Sequence, residues 1–219
     1  MPFFMKKLQI ILVIVGLFIF RAASAQVTDS TQIRIEYTNL EEALKNPTKV
    51  YRLNLSNQKV NVSDSVWRRF TNLEYLSLKN DHLKQIPKGI GFLTNLKILD
   101  LSGNDFKIIP TSFSNLKNLQ ELYLNDEKNF KLSRNIENLS RIPNLKSLHL
   151  ENDNLRKLPA NFYKLGKLEN LFLNDNHFDK VPIQIKGLKN LRYLDFHHND
   201  YKPNLNQMQN NEFGLKINF

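Results

Sequence analysis

Leucine, isoleucine and phenylalanine recur along this chain at fixed offsets. Between Leu96 and Asn118 they fall at Leu96, Leu99, Leu101, Phe106, Ile109, Phe113 and Leu116, with Asn104 between the two apolar groups. Lining up the position of Leu96 gives Val50, Leu73, Leu96, Leu119, Leu145, Leu168 and Leu191, in steps of 23, 23, 23, 26, 23 and 23 residues. Within each unit the fourth and sixth positions are Leu or Phe, while the third, fifth and seventh vary. That period of two predicts a short strand with one buried face. Leu99 and Leu101 are thus expected to point inward, and Ile98, Asp100 and Ser102 outward. The second group, Ile109, Phe113 and Leu116, is spaced for a short helical or irregular return segment. A unit this short cannot bury its own apolar face. Stacking solves the problem by placing equivalent strands in parallel, about 4.8 Å apart, over a core that takes about seven apolar side chains from each coil.

The pattern LxxLxLxxN, repeated over seven coils, closely resembles the leucine-rich repeat family. The nearer resemblance is to its secreted bacterial and plant-like class, in which an Ile-Pro or Leu-Pro pair follows the strand. Here that pair is Ile86-Pro87, Ile109-Pro110, Leu158-Pro159 and Val181-Pro182. The resemblance implies an α/β solenoid: a right-handed coil with a parallel β-sheet on the concave face and short helical or irregular segments on the convex side. It also implies a ladder of turn asparagines bonded to neighbouring backbone. Asn104, Asn176 and Asn199 fit, whereas Asp81, Glu127 and Asp153 stand at the same place in other coils. An amide both donates and accepts, and an ionised carboxylate only accepts, so the ladder is expected to falter at Asp81 and Asp153.

The repeats span 50–199, with the first and last coils degenerate. Ahead of them, Lys6 and Lys7, an apolar run from Leu8 to Phe20 and the small-x-small triplet Ala23-Ser24-Ala25 read as a signal peptide over 1–25, cleaved after Ala25. The 13-residue apolar run is short for a bilayer span, which needs about 20, so no stable membrane span is expected after cleavage. Residues 26–49 form an N-terminal segment with a capping helix, in which Thr38 serves as N-cap, Glu41 completes a capping box, and Leu40, Ala43 and Leu44 face the first repeat. Trp67 and Phe70 read as core filling in the first coil. The fourth coil, Leu119 to Asn144, lacks the Leu-Pro pair and is three residues longer, and Asp126, Glu127, Lys128 and Asn129 are expected to widen its turn. Such a turn is a tolerated insertion or a binding loop at the rim. Residues 200–219 form a C-terminal cap or tail: Tyr201 to Asn211 is polar, and the alternation of Phe213, Leu215, Ile217 and Phe219 predicts a closing strand.

Charge changes this picture only once it is located. The chain carries +10; cleavage removes Lys6, Lys7 and Arg21, and 28 basic minus 21 acidic residues leaves +7. The outward positions of the strands and turns hold five basic residues, Arg52, Lys79, Lys97, Lys146 and Arg192. They hold eight acidic ones: Glu74, Asp100, Glu121, Asp126, Glu151, Glu169, Asp175 and Asp195. The inner face is therefore −3 while the remainder is basic, the reverse of a nucleic-acid groove, so no nucleic-acid partner is expected. Down the fifth column, Tyr123, His149 and Phe172 occupy adjacent coils, with Tyr193 in the neighbouring column. An exposed aromatic ridge of this kind is typical of interface anchors.

Asp195, His197 and His198 raise the question of a metal. Only Asp195 and His197 share a strand face and His198 should point elsewhere, so no metal site is expected. There is no cysteine, no nucleophile with a base and orienter, and no glycine-rich phosphate loop, so neither an enzyme nor a cofactor is expected. The sequence is read as an exported, non-enzymatic recognition module. Its protein or peptide partner is taken at Tyr123, His149, Phe172, Tyr193, Asp126, Glu151 and Asp195. The alternative is a structural or glycan-binding envelope component that uses basic residues of the convex side such as Lys157, Lys180 and Lys189.

Overall fold

The computed structural model describes residues 35–127, 129–202 and 214–219. The signal segment, Lys128, most of the polar tail and Phe213 lie outside the described residues. Nine short strands form one sheet in sequence order: β1 (Glu36–Tyr37), β2 (Arg52–Asn54), β3 (Tyr75–Ser77), β4 (Ile98–Asp100), β5 (Glu121–Tyr123), β6 (Ser147–His149), β7 (Asn170–Phe172), β8 (Tyr193–Asp195) and β9 (Lys216–Asn218). Every pair is parallel, and the chain is an α/β solenoid. One inward column runs through Leu53, Leu76, Leu99, Leu122, Leu148, Leu171 and Leu194 to Ile217. The closing strand β9 keeps the 23-residue spacing, since Tyr193 pairs with Lys216. Strand β1, only two residues long, extends the sheet at the other end in a way the leucine pattern did not foreshadow.

Leu96, Leu99, Leu101, Phe106, Ile109, Phe113 and Leu116 of the third coil are all fully buried, while Ile108 is exposed. Trp67 and Phe70 are buried too, with ring centroids 6.4 Å apart, and fill the first coil as expected. Each Leu-Pro-type pair ends in a proline that opens the return turn. The carbonyls of Pro87, Pro110, Pro159 and Pro182 accept from Ile90, Phe113, Phe162 and Ile185, each three residues on, at 3.0–3.2 Å. Proline suits that place because its φ is preset and it has no N–H to satisfy.

At the N-terminus the helix α1 (Leu40–Lys45) is capped by Asn39 rather than Thr38. The Asn39 Oδ1 accepts from the Glu42 N–H at 3.0 Å, and Glu42 pairs with Lys45 at 2.6 Å instead of closing a capping box. Ala43 is buried, and Leu40 and Leu44 pack against the core of the first coils, as expected.

The fourth coil also departs from expectation. Asn104, Glu127 and Asp153 occupy the same turn position 23 and then 26 residues apart, so the turn at Glu127 is in register and the extra residues follow it. They lengthen the return half into the helix α2 (Leu132–Ser140). Its Leu132, Ile136 and Leu139 are buried. Asn135, also buried, accepts from Ile109 N at 2.8 Å and donates to Lys107 O at 2.9 Å. The insertion is thus a helical splice against the third coil, not a widened loop.

Two rows of side-chain amides bind coil to coil. In the turn row, Asn104 Oδ1 accepts from Asp81 N and Leu83 N, and its Nδ2 donates to Leu78 O, Leu101 O and Ser102 O. Asn176 repeats this in full, and Asn199 repeats most of it. The carboxylic members make the accepting half: Asp81 takes Gln58 N and Lys59 N, Glu127 takes Asn104 N, and Asp153 takes Glu127 N. Their second oxygens have no partner. The second row, at the last position of the repeat, is absent from the sequence reading. There Asn72 donates to Thr48 O, just ahead of the first coil, and Asn95, Asn118, Asn144 and Asn190 each donate to a carbonyl of the preceding coil, all at 2.6–2.9 Å.

The eighth residue of every coil adopts a left-handed backbone, from Asn57 (φ 65°) through Gly103 (φ 70°) and Asp126 (φ 60°) to His198 (φ 52°). Ser102, expected outward, is buried one step before this turn. At Gly103 an added Cβ would lie 1.9 Å from Asn80 Oδ1. Gly103→Ala should therefore cost about 1–2 kcal/mol, from the positive φ and from displacing Asn80 out of its bond to Asn57. Urea denaturation reads this as a lowered midpoint at unchanged slope.

Candidate functional site

Strands β5 to β8 bring together the aromatic residues singled out from sequence. The His149 ring stacks on Tyr123 (centroids 3.8 Å apart, 17° between planes) and on Phe172 (4.0 Å, 6°). Phe172 continues to Tyr193 at 5.6 Å, tilted by 58°. The register explains this directly, because Tyr123 pairs with His149 and His149 with Phe172, so parallel pairing superposes their rings. The ridge is not uniformly exposed, however. His149 is only 6% exposed, since the flanking rings cover both of its faces; Tyr123, Phe172 and Tyr193 are half-buried.

Carboxylates frame the stack. His149 Nε2 lies 3.0 Å from Glu121 Oε1, and Nδ1 lies 3.1 Å from Glu151 Oε1. A neutral imidazole donates to one of these oxygens; an imidazolium donates to both. The Tyr123 hydroxyl donates to the same Glu121 oxygen at 2.8 Å. Burial first, and then this bond, push the Tyr123 hydroxyl well above its ordinary range and keep it a neutral donor. At the far end Asp195 accepts from the Tyr193 hydroxyl at 3.1 Å, from Asn218 Nδ2 at 3.0 Å, and faces His197 Nδ1. Burial opposes ionisation of Asp195, yet bonds from His197, Asn218 and Tyr193 together hold its carboxyl below the usual range. Asp126 sits at the rim in its left-handed turn and accepts from Asn152 Nδ2 at 2.6 Å.

Most basic residues of this face are already engaged. Arg52 pairs with Glu36 at 2.9 Å, Lys97 with Glu74 at 3.0 Å and Lys146 with Glu169 at 3.0 Å. The acidic surplus therefore gathers around the aromatic stack. Two further features stand on this face, one absent from the expectations and one contrary to them. Tyr75, in the third-position column, lies under the Arg52 guanidinium at 4.1 Å and makes a second aromatic point on the face. His198, expected to point away, meets His197 with ring centroids 4.5 Å apart and reaches Asp175 Oδ1 at 3.0 Å. The run of Asn, Gly and Asp at the eighth position was the available signal for the left-handed turn that allows this.

Among the described residues no helix is long and apolar enough to cross a membrane. No curated protein shows significant sequence similarity to this chain. Among solved structures, an internalin (inlF) from Listeria monocytogenes is 19% identical and superposes with a TM-score of 0.58, over 84% of this chain and 51% of its own. Toll, in the Toll–Spatzle complex of Drosophila, is 16% identical with a TM-score of 0.63, over 75% of this chain and 22% of its own. This chain thus spans about half the length of the internalin and about a fifth of the Toll chain, and what it shares with both is the fold. The family described as "Leucine-rich repeat region" matches residues 47–146, and that described as "Leucine rich repeat" matches 130–200. Together these matches run without a break over about two thirds of the sequence, across the coils whose leucines form the core. The chain belongs to the leucine-rich repeat family.

Proposed function

We propose that this protein is an exported, non-enzymatic recognition module that binds a protein or peptide across its strand face. The observation that carries the reading is the continuous Tyr123–His149–Phe172–Tyr193 stack with carboxylates fixed at its edges. Rings locked by stacking and hydrogen bonds contribute contact area at little entropic cost when a partner docks. The π faces and the surrounding Glu121, Glu151, Asp126 and Asp195 favour a segment that presents Lys or Arg side chains. Toll, whose fold is shared, was solved in complex with Spatzle, which accords with a binding role for this architecture. The charged Lys6-Lys7 pair, the apolar run and Ala23-Ser24-Ala25 support export.

Capture from the source organism, with the mature chain as bait, tests the reading. The double variant Tyr123→Ala/Phe172→Ala should lose at least tenfold in partner capture while circular dichroism stays near wild type. Undiminished capture by the double variant would sink the strand-face model. Loss of retention only on reversing Lys157, Lys180 and Lys189 would move the site to the basic side.

A further inference from the structure

We propose that Asp175, His197 and His198 form a site for a divalent transition-metal ion, held in position by Asp195. The three ligands come from the rim where β7 and β8 run into their turns. Successive residues of an extended chain point to opposite sides, and this would separate His197 from His198. The left-handed backbone of His198 (φ 52°) turns its ring back toward His197 instead. Asp175 occupies the same left-handed position one coil earlier (φ 58°), and its Oδ1 lies 3.0 Å from His198 Nδ1. One ligand atom from each of the three lies within 4.8 Å of the others.

Two imidazoles and a carboxylate are a donor set that binds zinc. Ligand atoms on one zinc ion, bound at about 2.0–2.1 Å, stand roughly 3 Å apart. Asp175 Oδ1 and His198 Nδ1 are 3.0 Å apart already. His197 Nδ1 faces Asp195 Oδ1, and in the tautomer that donates there the Nε2 lone pair is free for an ion. A carboxylate behind a ligating imidazole is the usual support for such a ring. Asp195 is in turn anchored by Tyr193 and Asn218, so its orientation of His197 is itself fixed. The His197 side chain is 31% exposed, so the site is open to an ion from solvent. Two imidazoles and a carboxylate select zinc-like ions over calcium or magnesium and leave a coordination position open to water or to a bound partner.

Isothermal titration of the full chain with Zn2+ tests this. One ion per chain is expected, with a Kd on the order of micromolar. His198→Ala and Asp175→Asn should each weaken binding at least tenfold. Both side chains are largely exposed, 74% and 46%, so these variants keep the fold. Asp195→Asn should weaken Zn2+ by about 10–100-fold and shift the visible absorption of the Co2+ form, a change that only an oriented ligand reports. Tyr123→Ala, two strands away from β7, should leave Zn2+ binding unchanged, which separates this site from the proposed partner face. Absence of saturable heat below millimolar Zn2+, or affinity indifferent to Asp175 and His198, overturns the assignment.

Discussion

Asn104→Ala is expected to destabilise the protein by about 3–5 kcal/mol, more than any surface change in the array. The side chain is 2% exposed and satisfies five backbone groups: Asp81 N and Leu83 N by accepting, Leu78 O, Leu101 O and Ser102 O by donating. Alanine leaves these groups in a space with no replacement partner, and each unmet buried group costs about 1–3 kcal/mol. Water entering from the turn recovers part of that loss, which is why the sum stays below the simple total. Asn104→Asp retains both acceptances and should cost less than half as much at pH 6. Urea denaturation of both variants reads the contrast, and a cost below about 1 kcal/mol for alanine would show that the turn row does not hold the coils together.

The second large effect concerns the carboxylic members of the same row. Burial, beyond what the bond from Asn104 N can offset, pushes the Glu127 carboxyl up to about 9, and burial likewise raises Asp153 to about 8. Both acids therefore keep protons in the folded chain that the unfolded chain releases from about pH 4 upward. Stability from this source is complete below about pH 4, falls progressively as pH rises from there, and is fully lost once pH has passed 8 to 9. A loss of at least about 3 kcal/mol is expected between pH 4 and 9. Glu127→Gln with Asp153→Asn should flatten the dependence and raise the urea midpoint at pH 8, because an amide supplies the donor that an ionised carboxylate lacks. If the double variant and wild type have parallel pH profiles, the acids are not the cause. The turn row also bears out the expectation that the ladder falters at Asp81 and Asp153, where the donating half is missing. Its accepting half is intact there, and the unpartnered second oxygens are where a proton restores a donor.

Leucine spacing carried most of the fold. Period and alternation alone placed the buried faces of all seven coils, because each such residue must meet its equivalents at one inward position. What escaped depended on partners outside the unit. Strand β1 is two residues long and has no pattern of its own. The splice in the fourth coil was visible as three extra residues, but the run from Asp126 to Asn129 looks like a turn, and only the register of Glu127 shows that the addition lies beyond it. The asparagines ahead of each first leucine were present in the sequence at Asn72, Asn95, Asn118, Asn144 and Asn190. They read as polar surface because their acceptors are carbonyls outside their own coil. At the candidate site, the column of Tyr123, His149 and Phe172 was legible and the burial of His149 was not. Burial there results from two neighbouring rings closing over it at 3.8 and 4.0 Å. The approach of His198 to Asp175 required a left-handed turn, a backbone property that alternation cannot express.

The uniform register of the inward leucines has an evolutionary corollary. Because every junction from β2 to β8 pairs like with like, a duplicated or deleted coil could be accommodated without repacking, lengthening or shortening the sheet by about 4.8 Å. Such an event outside β5–β7 would leave the Tyr123–His149–Phe172 stack whole, whereas one within it would insert a foreign side chain between rings that now touch. Copy number could thus drift at the ends while the middle coils constrain which rearrangements preserve the ring stack.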